Sequence, residues 1–391
     1  MKIVYMDNNA TSRVAPEVLE EMVPFLSEYY GNPSSMYSFA EIVGKKIDEA
    51  RERVANLLGT SPAEIIFTSC GTESDSTAIN AAIKANPGKR HIVTTRVEHP
   101  AVKNLFEHLG KNGYRVSFVP VDSQGVLDLD YLYDHLTTDT AIVSVMWANN
   151  ESGVIFPIEE IAEKLHDLGI VFHTDAVQAV GKIPIDLNKV PVDMLSLSGH
   201  KLHGPKGIGA RYLRKGTKFA PFLIGGHQEK GRRGGTENSA SIVALGKACQ
   251  LAEDHIEIEN STVRQLRDYL EKSLLERIPQ AKVNGVIDQR LPNTTSIGFE
   301  AVEGEAVLLR MNQLGICASS GSACTSGSLE PSHVLRAMGV PFTRAHGSIR
   351  FSLSVYNTAG EVDYVIEHLP PIIEQLRNLS PFWKKAQAAV S

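Results

Sequence analysis

Ala141-Ile142-Val143-Ser144-Val145-Met146 and Ile170-Val171-Phe172-His173 are two short apolar runs separated by one helix-patterned segment. Runs of this length and composition are typical of buried strands, and the apolar residues of 158–165 between them recur at the helical period of about 3.6 residues. A strand, a helix and a second strand form a unit whose two strands lie parallel in one sheet. This stretch therefore predicts the α/β fold class.

The same alternation continues on both sides of this unit. A further helical pattern covers 42–58, and more strand-like runs occupy 65–68, 91–95, 116–119, 194–197 and 209–213. Together the runs predict a mostly parallel seven-stranded sheet with helices on both faces.

A second, smaller unit is indicated after the sheet. A long helical stretch begins near Ser239, and strand-like runs return only near 295–297 and 349–353. This pattern is typical of an α+β domain. We expect a large domain over 14–258 and a small domain formed by 1–13 together with 259–391.

Length and charge limit the classes of function. The chain has 391 residues, 42% of them hydrophobic, a net charge of -6 and a pI near 6.1. Its basic residues are scattered, so no electrostatic footprint for nucleic acid is present. Two globular domains without nucleic-acid binding are the expectation.

The amino terminus and the cysteines indicate the compartment. A charge at Asp7 precedes any signal-peptide core, and no apolar run reaches the length of a membrane span. Cys70, Cys249, Cys317 and Cys324 form no C-x-x-C pair, so neither a disulfide framework nor a structural zinc site is indicated. We expect a cytoplasmic protein with no membrane contact.

Three side chains are candidates for cofactor binding and catalysis. Lys201 ends the run Ser198-Gly199-His200-Lys201, Asp175 follows a buried strand, and Cys324 lies in a loop rich in glycine and serine. A lysine can bind the aldehyde of pyridoxal phosphate, and a buried aspartate can pair with its ring nitrogen. The composition around Cys324 favours a mobile, exposed loop whose thiol is a second nucleophile.

Other interpretations of the lysine segment are weaker. Pro205 and Gly207 break the pattern of a nucleotide-binding Walker A loop that Gly199 to Lys206 would otherwise approach. His200 and His203 lack the acidic or cysteine companions of a metal site. An ordinary surface charge is the common alternative for any single lysine.

A phosphate-binding turn is predicted at Gly71-Thr72-Glu73-Ser74. This run follows the strand 65–68 and opens a helix, so free backbone N–H groups and a hydroxyl point at one place. A plain helix cap is the alternative.

The chain resembles a known enzyme family at several of these motifs. Tyr5 to Thr11, Gly31-Asn32-Pro33-Ser34-Ser35, the lysine run, Arg232 to Asn238 and the cysteine loop with Leu329 to Leu335 are similar to the NifS/IscS-type cysteine desulfurases, and closest in character to NifS. The resemblance runs nearly end to end. It implies the pyridoxal-phosphate fold type I and pyridoxal 5′-phosphate as cofactor.

The resemblance also implies residue roles around the cofactor. Alone, each residue would more often be a helix cap, a surface amide or a core histidine. In the family's pattern Lys201 binds the cofactor covalently and Asp175 pairs with its ring nitrogen. The phosphate contacts are Gly71, Thr72, Ser198, His200 and, from the neighbouring subunit of a homodimer, Thr236; Asn150 and Gln178 bond the phenolic oxygen, and His99 stacks on the ring.

For the substrate, the resemblance implies conversion of L-cysteine to L-alanine with sulfur left on Cys324 as a persulfide. Arg350 would bind the substrate carboxylate, and His99 would move protons. A structural ion pair is the alternative for Arg350. The implied sulfur acceptor is an iron–sulfur scaffold of NifU/IscU type, in nitrogenase or general cluster assembly, and Cys324 would be a transient metal ligand shared with it.

Two other functions are compatible with parts of the pattern. A selenocysteine lyase or aminotransferase would use the same cofactor groups without needing Cys324. A non-catalytic cluster scaffold would need three or more ligands, and the cysteine loop offers one.

Overall fold

A computed structural model describes residues 3–320, 330–381 and 383. In chain order the strands are β1 (Val4–Tyr5), β2 (Ile65–Thr68), β3 (His91–Thr95), β4 (Arg115–Val119), β5 (Thr140–Ser144), β6 (Phe172–Asp175), β7 (Met194–Ser198), β8 (Gly209–Leu213), β9 (Ala281–Val283), β10 (Thr294–Phe299), β11 (Ile316–Cys317), β12 (Ser319–Ser320) and β13 (Ser348–Ser352). The α-helices are α1 (Pro16–Met22), α2 (Pro24–Ser27), α3 (Ser38–Leu58), α4 (Gly71–Ala85), α5 (Pro100–Lys111), α6 (Leu129–Asp134), α7 (Ile158–Asp167), α8 (Ser239–Asp254), α9 (Ile256–Ile258), α10 (Arg264–Arg277), α11 (Gly304–Gln313), α12 (His333–Ala337), α13 (Phe342–Ala345) and α14 (Ala359–Leu379). Among the described helices, none has the length and apolar character needed to cross a membrane.

The large sheet has seven strands in the order β2-β8-β7-β6-β5-β3-β4. Strand β8 runs antiparallel to both of its neighbours, and the other pairs are parallel. All of its strands except the partly exposed edge strand β4 are buried throughout, because helices cover both faces. The predicted α/β class with a mostly parallel sheet is confirmed.

Two strands are displaced from their predicted bounds. The run predicted at 170–173 begins at Phe172, because Gly169 adopts a left-handed conformation and the Ile170 amide still donates to the last turn of α7 at Leu165. At the other end, the Trp147 amide donates to the Asp175 carbonyl at 2.8 Å. Asp175 is therefore the last residue of β6 and not a residue beyond it. The strand predicted at 141–146 spans Thr140–Ser144.

The second unit is built on a four-stranded antiparallel sheet in the order β12-β13-β10-β9. Helices α10, α11 and α14 contribute to its hydrophobic core, which includes Leu270, Val307 and Val365. The amino-terminal strand β1 pairs in parallel with β11. Val4 and Met6 consequently belong to the same core.

We propose the division into a large domain, 14–258, and a small domain, 1–13 with 259–391. A π-helical turn over Glu259–Val263 lies at this boundary, between the short helix α9 and the long helix α10. The separate core of the small unit supports the division. The segment from Val334 to Ala345 nevertheless packs its apolar side chains into the core of the large unit, so the two parts share an extensive contact.

Close packing of α3 against α8 generates a stability prediction. A Cβ added at Gly246 of α8 would lie 2.5 Å from the Ala50 Cα of α3, whereas one added at Gly44 of α3 would meet nothing nearer than the Pro33 Cβ at 4.0 Å. We expect Gly246→Ala to lower the free energy of unfolding by about 1–3 kcal/mol through overpacking. Gly44→Ala, the matched control, should raise it by about 0.5–1 kcal/mol, because alanine favours a helix interior. Urea unfolding of both variants measures the difference, and equal effects would contradict the packing described here.

Candidate active site

One cavity, of about 480 Å³, collects the predicted groups at the carboxyl ends of the parallel strands. Such a position is where open α/β sheets bind ligands. The predicted residues that line it are Gly71, Thr72, His99, Asn150, Asp175, Gln178, Ser198, His200, Lys201 and Arg350.

Lys201 reaches the cavity from a short 3₁₀ helix, Gly199–Lys201, directly after β7. Its Nζ donates to the Asn9 carbonyl and, at 2.8 Å, to the Ala10 carbonyl. Burial lowers the pKa of Lys201 to about 8, with the Arg350 charge acting in the same direction and Asp175 opposing it. The amine is thus closer to its neutral, nucleophilic form near neutral pH than an exposed lysine would be.

Asp175 lies at the floor of the cavity and is only 5% exposed. Its Oδ1 accepts a hydrogen bond from the Val177 amide at 2.9 Å. Burial raises the pKa of Asp175, while a charged His99 or Lys201 would lower it. A carboxylate in such a place needs a cation beside it to stay ionised.

The predicted phosphate turn is the first turn of the 15-residue helix α4. A Cβ at Gly71 would lie 3.0 Å from the Val177 Cγ2, so any larger residue would crowd this turn. The Ser198 hydroxyl beside it is buried and has no hydrogen-bond partner among the described residues. Free amides and an unpaired hydroxyl at a helix amino terminus fit a phosphate group.

His200 and His99 flank the cavity as neutral imidazoles. Burial lowers the pKa of His200 to about 4, and its Nδ1 lies 3.1 Å from the Thr11 hydroxyl. His99 caps α5, where its Nδ1 accepts from the Ala101 amide at 3.2 Å. Burial also lowers the pKa of His99. The acceptor role of Nδ1 places the ring proton on Nε2.

The two residues whose side-chain amides are predicted to contact the cofactor are bonded to the amino-terminal segment, Gln178 through its amide and Asn150 through its backbone carbonyl. Gln178 Nε2 donates to the Asn9 carbonyl at 3.0 Å. The Asn150 carbonyl accepts from the Asn9 side chain at 3.2 Å and from Arg350 Nη1 at 2.9 Å. Both amides lie on the cavity wall.

Arg350, on β13 of the small sheet, is 7% exposed and forms the ion pair considered as its alternative role. Its Nη2 donates to Asp7 Oδ1 at 2.7 Å. Its Nε has no hydrogen-bond partner within the described part of the chain. These contacts fix the plane of the guanidinium at the cavity wall and leave it donor capacity for an anion.

Thr236 does not lie in this cavity. It lines a smaller cleft of about 160 Å³ beside Arg233, whose guanidinium holds Glu73 of α4 at 2.9 and 3.1 Å. Within one chain, Thr236 is thus next to the phosphate helix but not in its cradle.

Cys324 lies outside the described residues. Ser319 and Ser320 before it and His333 after it line the cavity. Of the other cysteines, Cys70 lies at the amino end of α4 and also lines the cavity, and Cys317 belongs to β11. Within 3–320, 330–381 and 383, no group of three or more His, Cys, Asp or Glu side chains could hold a metal ion.

Sequence reasoning missed several cavity residues. Asn9 and Ala10 lie in the amino-terminal motif, yet nothing in their types indicates that their carbonyls hold a lysine. Asp75 follows Gly71 by four residues, a spacing that places both on one helix face and could have revealed it. Burial and Asp175 raise the pKa of Asp75 well above its usual range, and burial raises the pKa of Glu98 to about 8.

The arrangement fits pyridoxal phosphate. A phosphate fits the α4 cradle with its unpaired Ser198 hydroxyl, a protonated ring nitrogen fits the buried Asp175, and an aldehyde fits a lysine of lowered pKa. These three features lie in one cavity.

Comparison with known proteins agrees with this chemistry. The family described as Aminotransferase class-V matches residues 4–365. The chain is 58% identical over 393 residues to a cysteine desulfurase of Nostoc sp., with 99% of this chain and 98% of that protein covered. It is 59% identical over 384 residues to the cysteine desulfurase NifS of Azotobacter vinelandii, with 98% and 96% covered. A solved NifS-like protein superposes with a TM-score of 0.90 at 40% identity, over 96% of this chain and 100% of that one.

The chain belongs to the class-V aminotransferases and, within them, to the cysteine desulfurases. It is accordingly an enzyme that uses pyridoxal 5′-phosphate, with the fold type I expected from its motifs. The family implies cysteine as substrate and an acceptor for its sulfur.

The environment of Lys201 generates a prediction for the apoprotein. Acetylation of Lys201 by acetic anhydride requires the neutral amine, so its rate should rise through a midpoint near pH 8, because burial lowers this pKa to about 8. Arg350→Gln should raise the midpoint, since a charge that lowers the pKa is removed, and Asp175→Asn should lower it. Peptide mass spectrometry across pH 6 to 11 measures the rates. A midpoint near 10.5, unmoved in both variants, would contradict the electrostatics of the site.

Proposed function

We propose that this protein converts L-cysteine to L-alanine and transfers the sulfur to Cys324 as a persulfide that supplies iron–sulfur cluster assembly, including nitrogenase clusters. The observation that carries the proposal is that Lys201 and Arg350 line one cavity whose floor is the buried Asp175. A cationic anchor for a carboxylate beside a cofactor-binding lysine suits an α-amino acid. The relatives named cysteine desulfurase specify which amino acid.

The proposed cofactor contacts follow the cavity. Lys201 binds the cofactor aldehyde, Asp175 pairs with the ring nitrogen and His99 stacks on the ring. Asn150 and Gln178 bond the phenolic oxygen, and the phosphate takes Gly71, Thr72, Ser198 and His200. When bound, the cofactor withdraws electrons from the substrate carbons, a chemistry that no side chain supplies.

Lys201 and Arg350 act on two substituents of the same substrate carbon. The Lys201 Nζ, with a pKa of about 8, is suited to accept the α-proton and return it near neutral pH. Arg350 binds the substrate carboxylate, and its bonds to Asp7 and the Asn150 carbonyl restrict the orientation of its guanidinium. Together these residues orient the Cα–H bond for proton transfer.

The sulfur step belongs to Cys324. Its thiolate attacks the substrate sulfur, so that an S–S bond forms while the C–S bond breaks and leaves its electron pair on carbon. A proton then completes the methyl group of alanine. His99 is the proposed proton carrier, because its Nδ1 accepts from the Ala101 amide and its Nε2 is left for exchange.

We also propose a homodimer in which Thr236 completes the phosphate site of the neighbouring subunit. Met36, Tyr30 and Ile224 are large apolar side chains with high exposure in the single chain, which supports burial by a second copy. The proposed sulfur acceptor is a scaffold of NifU/IscU type in the cytoplasm, with Cys324 as a transient ligand of the growing cluster. Cys70, Cys249 and Cys317 are free thiols, as a reducing compartment favours.

Replacement of the nucleophile tests the proposed function. Cys324→Ala should lower alanine formation from L-cysteine by at least about a hundredfold, because the thiolate that accepts sulfur is lost. Cys70→Ala, which removes a thiol that lines the cavity, and Cys317→Ala should keep most of the activity. Persulfide labelling followed by peptide mass spectrometry locates the sulfur. Sulfur on Cys70 or Cys317, or unimpaired alanine release from Cys324→Ala, would contradict the assignment.

A further inference from the structure

The amino-terminal residues Asp7 to Thr11 lie between the two walls of the cavity. On one side their atoms contact Lys201, Gln178 and His200 of the large unit, and on the other they contact Arg350 and Ser352 of the small unit. We call the side with Lys201, Gln178 and His200 the lysine wall and the side with Arg350 the arginine wall. This short segment therefore connects the two walls.

Asn9 is the residue of this segment with contacts on both walls. It is 3% exposed, and its backbone carbonyl accepts from Lys201 Nζ and from Gln178 Nε2. Its side-chain Nδ2 donates to the Asn150 carbonyl at 3.2 Å and to the Thr294 hydroxyl at 2.8 Å. The Asn9 side chain consequently donates to residues of both units.

The Asn150 carbonyl is the point at which Asn9 reaches Arg350. This one oxygen accepts both Asn9 Nδ2 and, at 2.9 Å, Arg350 Nη1. A carbonyl has two lone pairs, so the two donors together fix the direction of its peptide group. With Asp7 on its other nitrogen, Arg350 has its plane set by two contacts, one of which depends on Asn9.

We propose that Asn9 is a positioning residue that orients Arg350 for the substrate carboxylate by holding the Asn150 carbonyl, while its own carbonyl holds the lysine wall. The inference rests on the proposed role of Arg350 in substrate binding. Loss of the Asn9 side chain leaves the backbone contacts to Lys201 and Gln178 in place and frees the Asn150 peptide.

The chain provides a matched control in the adjacent residue. Asn8 is also a buried asparagine, but its Nδ2 donates to the Ser352 carbonyl at 2.9 Å and lies 3.5 Å from the Asn357 side chain, both within the small unit. Asn8→Ala removes a buried amide from the same segment without touching the Asn150 carbonyl. Asn9→Asp provides a second variant of unchanged size that lacks the Nδ2 donor.

The experiment measures ligand binding to the holoenzyme in a Cys324→Ala background, so that no sulfur leaves. The probes are L-cysteine and 2-aminoethanethiol, which is L-cysteine without its carboxylate, and binding is followed by the change in cofactor absorbance. We expect Asn9→Ala and Asn9→Asp to weaken L-cysteine binding about tenfold, because a misplaced Arg350 loses a charge-assisted hydrogen bond to the carboxylate. Binding of 2-aminoethanethiol, which has no carboxylate, should be unchanged. Asn8→Ala should leave both affinities unchanged.

A double-mutant cycle with Arg350→Ala distinguishes positioning from a general structural effect. If Asn9 acts through Arg350, Asn9→Ala should cause no further loss of L-cysteine binding once Arg350 is absent. Additive losses, or equal losses for both probes, would overturn the inference. Arg350→Ala with normal L-cysteine binding would instead refute the proposed role of Arg350, and the inference with it. Thermal unfolding of the apoproteins checks that each variant is folded.

Discussion

The buried carboxylate of Asp175 is the constraint on which the site depends. It ends β6 in the middle of the sheet, where solvent cannot stabilise its charge, and the cation that it requires must come from the cavity above it. The parallel topology brings the amino terminus of α4 and the Lys201 loop to the same edge of the sheet. A phosphate-binding turn, a lysine and a cation-binding carboxylate therefore meet because of strand order, and pyridoxal phosphate fits all three with its phosphate, its aldehyde and its ring nitrogen.

The small unit and the amino-terminal segment supply the rest of the cavity. Arg350 comes from the small sheet, and its guanidinium contacts both Asp7 and the Asn150 carbonyl of the large unit. The same segment holds Lys201 through the Asn9 and Ala10 carbonyls. Burial lowers the pKa of Lys201 while Arg350 adds to the effect, so the guanidinium proposed to bind the substrate and the amine proposed to bind the cofactor are electrostatically linked.

Much of the fold and of the site could be predicted from the sequence. Apolar runs and helical periods located the seven strands within about two residues, since buried parallel strands have a strong local pattern. Lys201 and the Gly71 turn could be predicted because each follows a recognisable strand, and Asp175 because it lies at the carboxyl end of one. The part played by Asn9 could not, because a backbone carbonyl carries no side-chain signal and its partners lie more than a hundred residues away. The predicted role of Thr236 is in a second copy of the chain, and Cys324 lies outside the described residues, so both roles stay predictions.

Covalent capture of the cofactor shows whether Lys201 binds pyridoxal phosphate beside Asp175. Borohydride reduction of the holoenzyme should fix the cofactor to one lysine, and digestion with mass spectrometry should find it on the peptide that contains Lys201. Lys206 and Lys182, two other lysines close to Lys201 in the sequence, are internal controls that should carry no cofactor. We expect cofactor on Lys201 alone and none captured in Lys201→Ala. Cofactor on another lysine, or equal capture in Lys201→Ala, would contradict it.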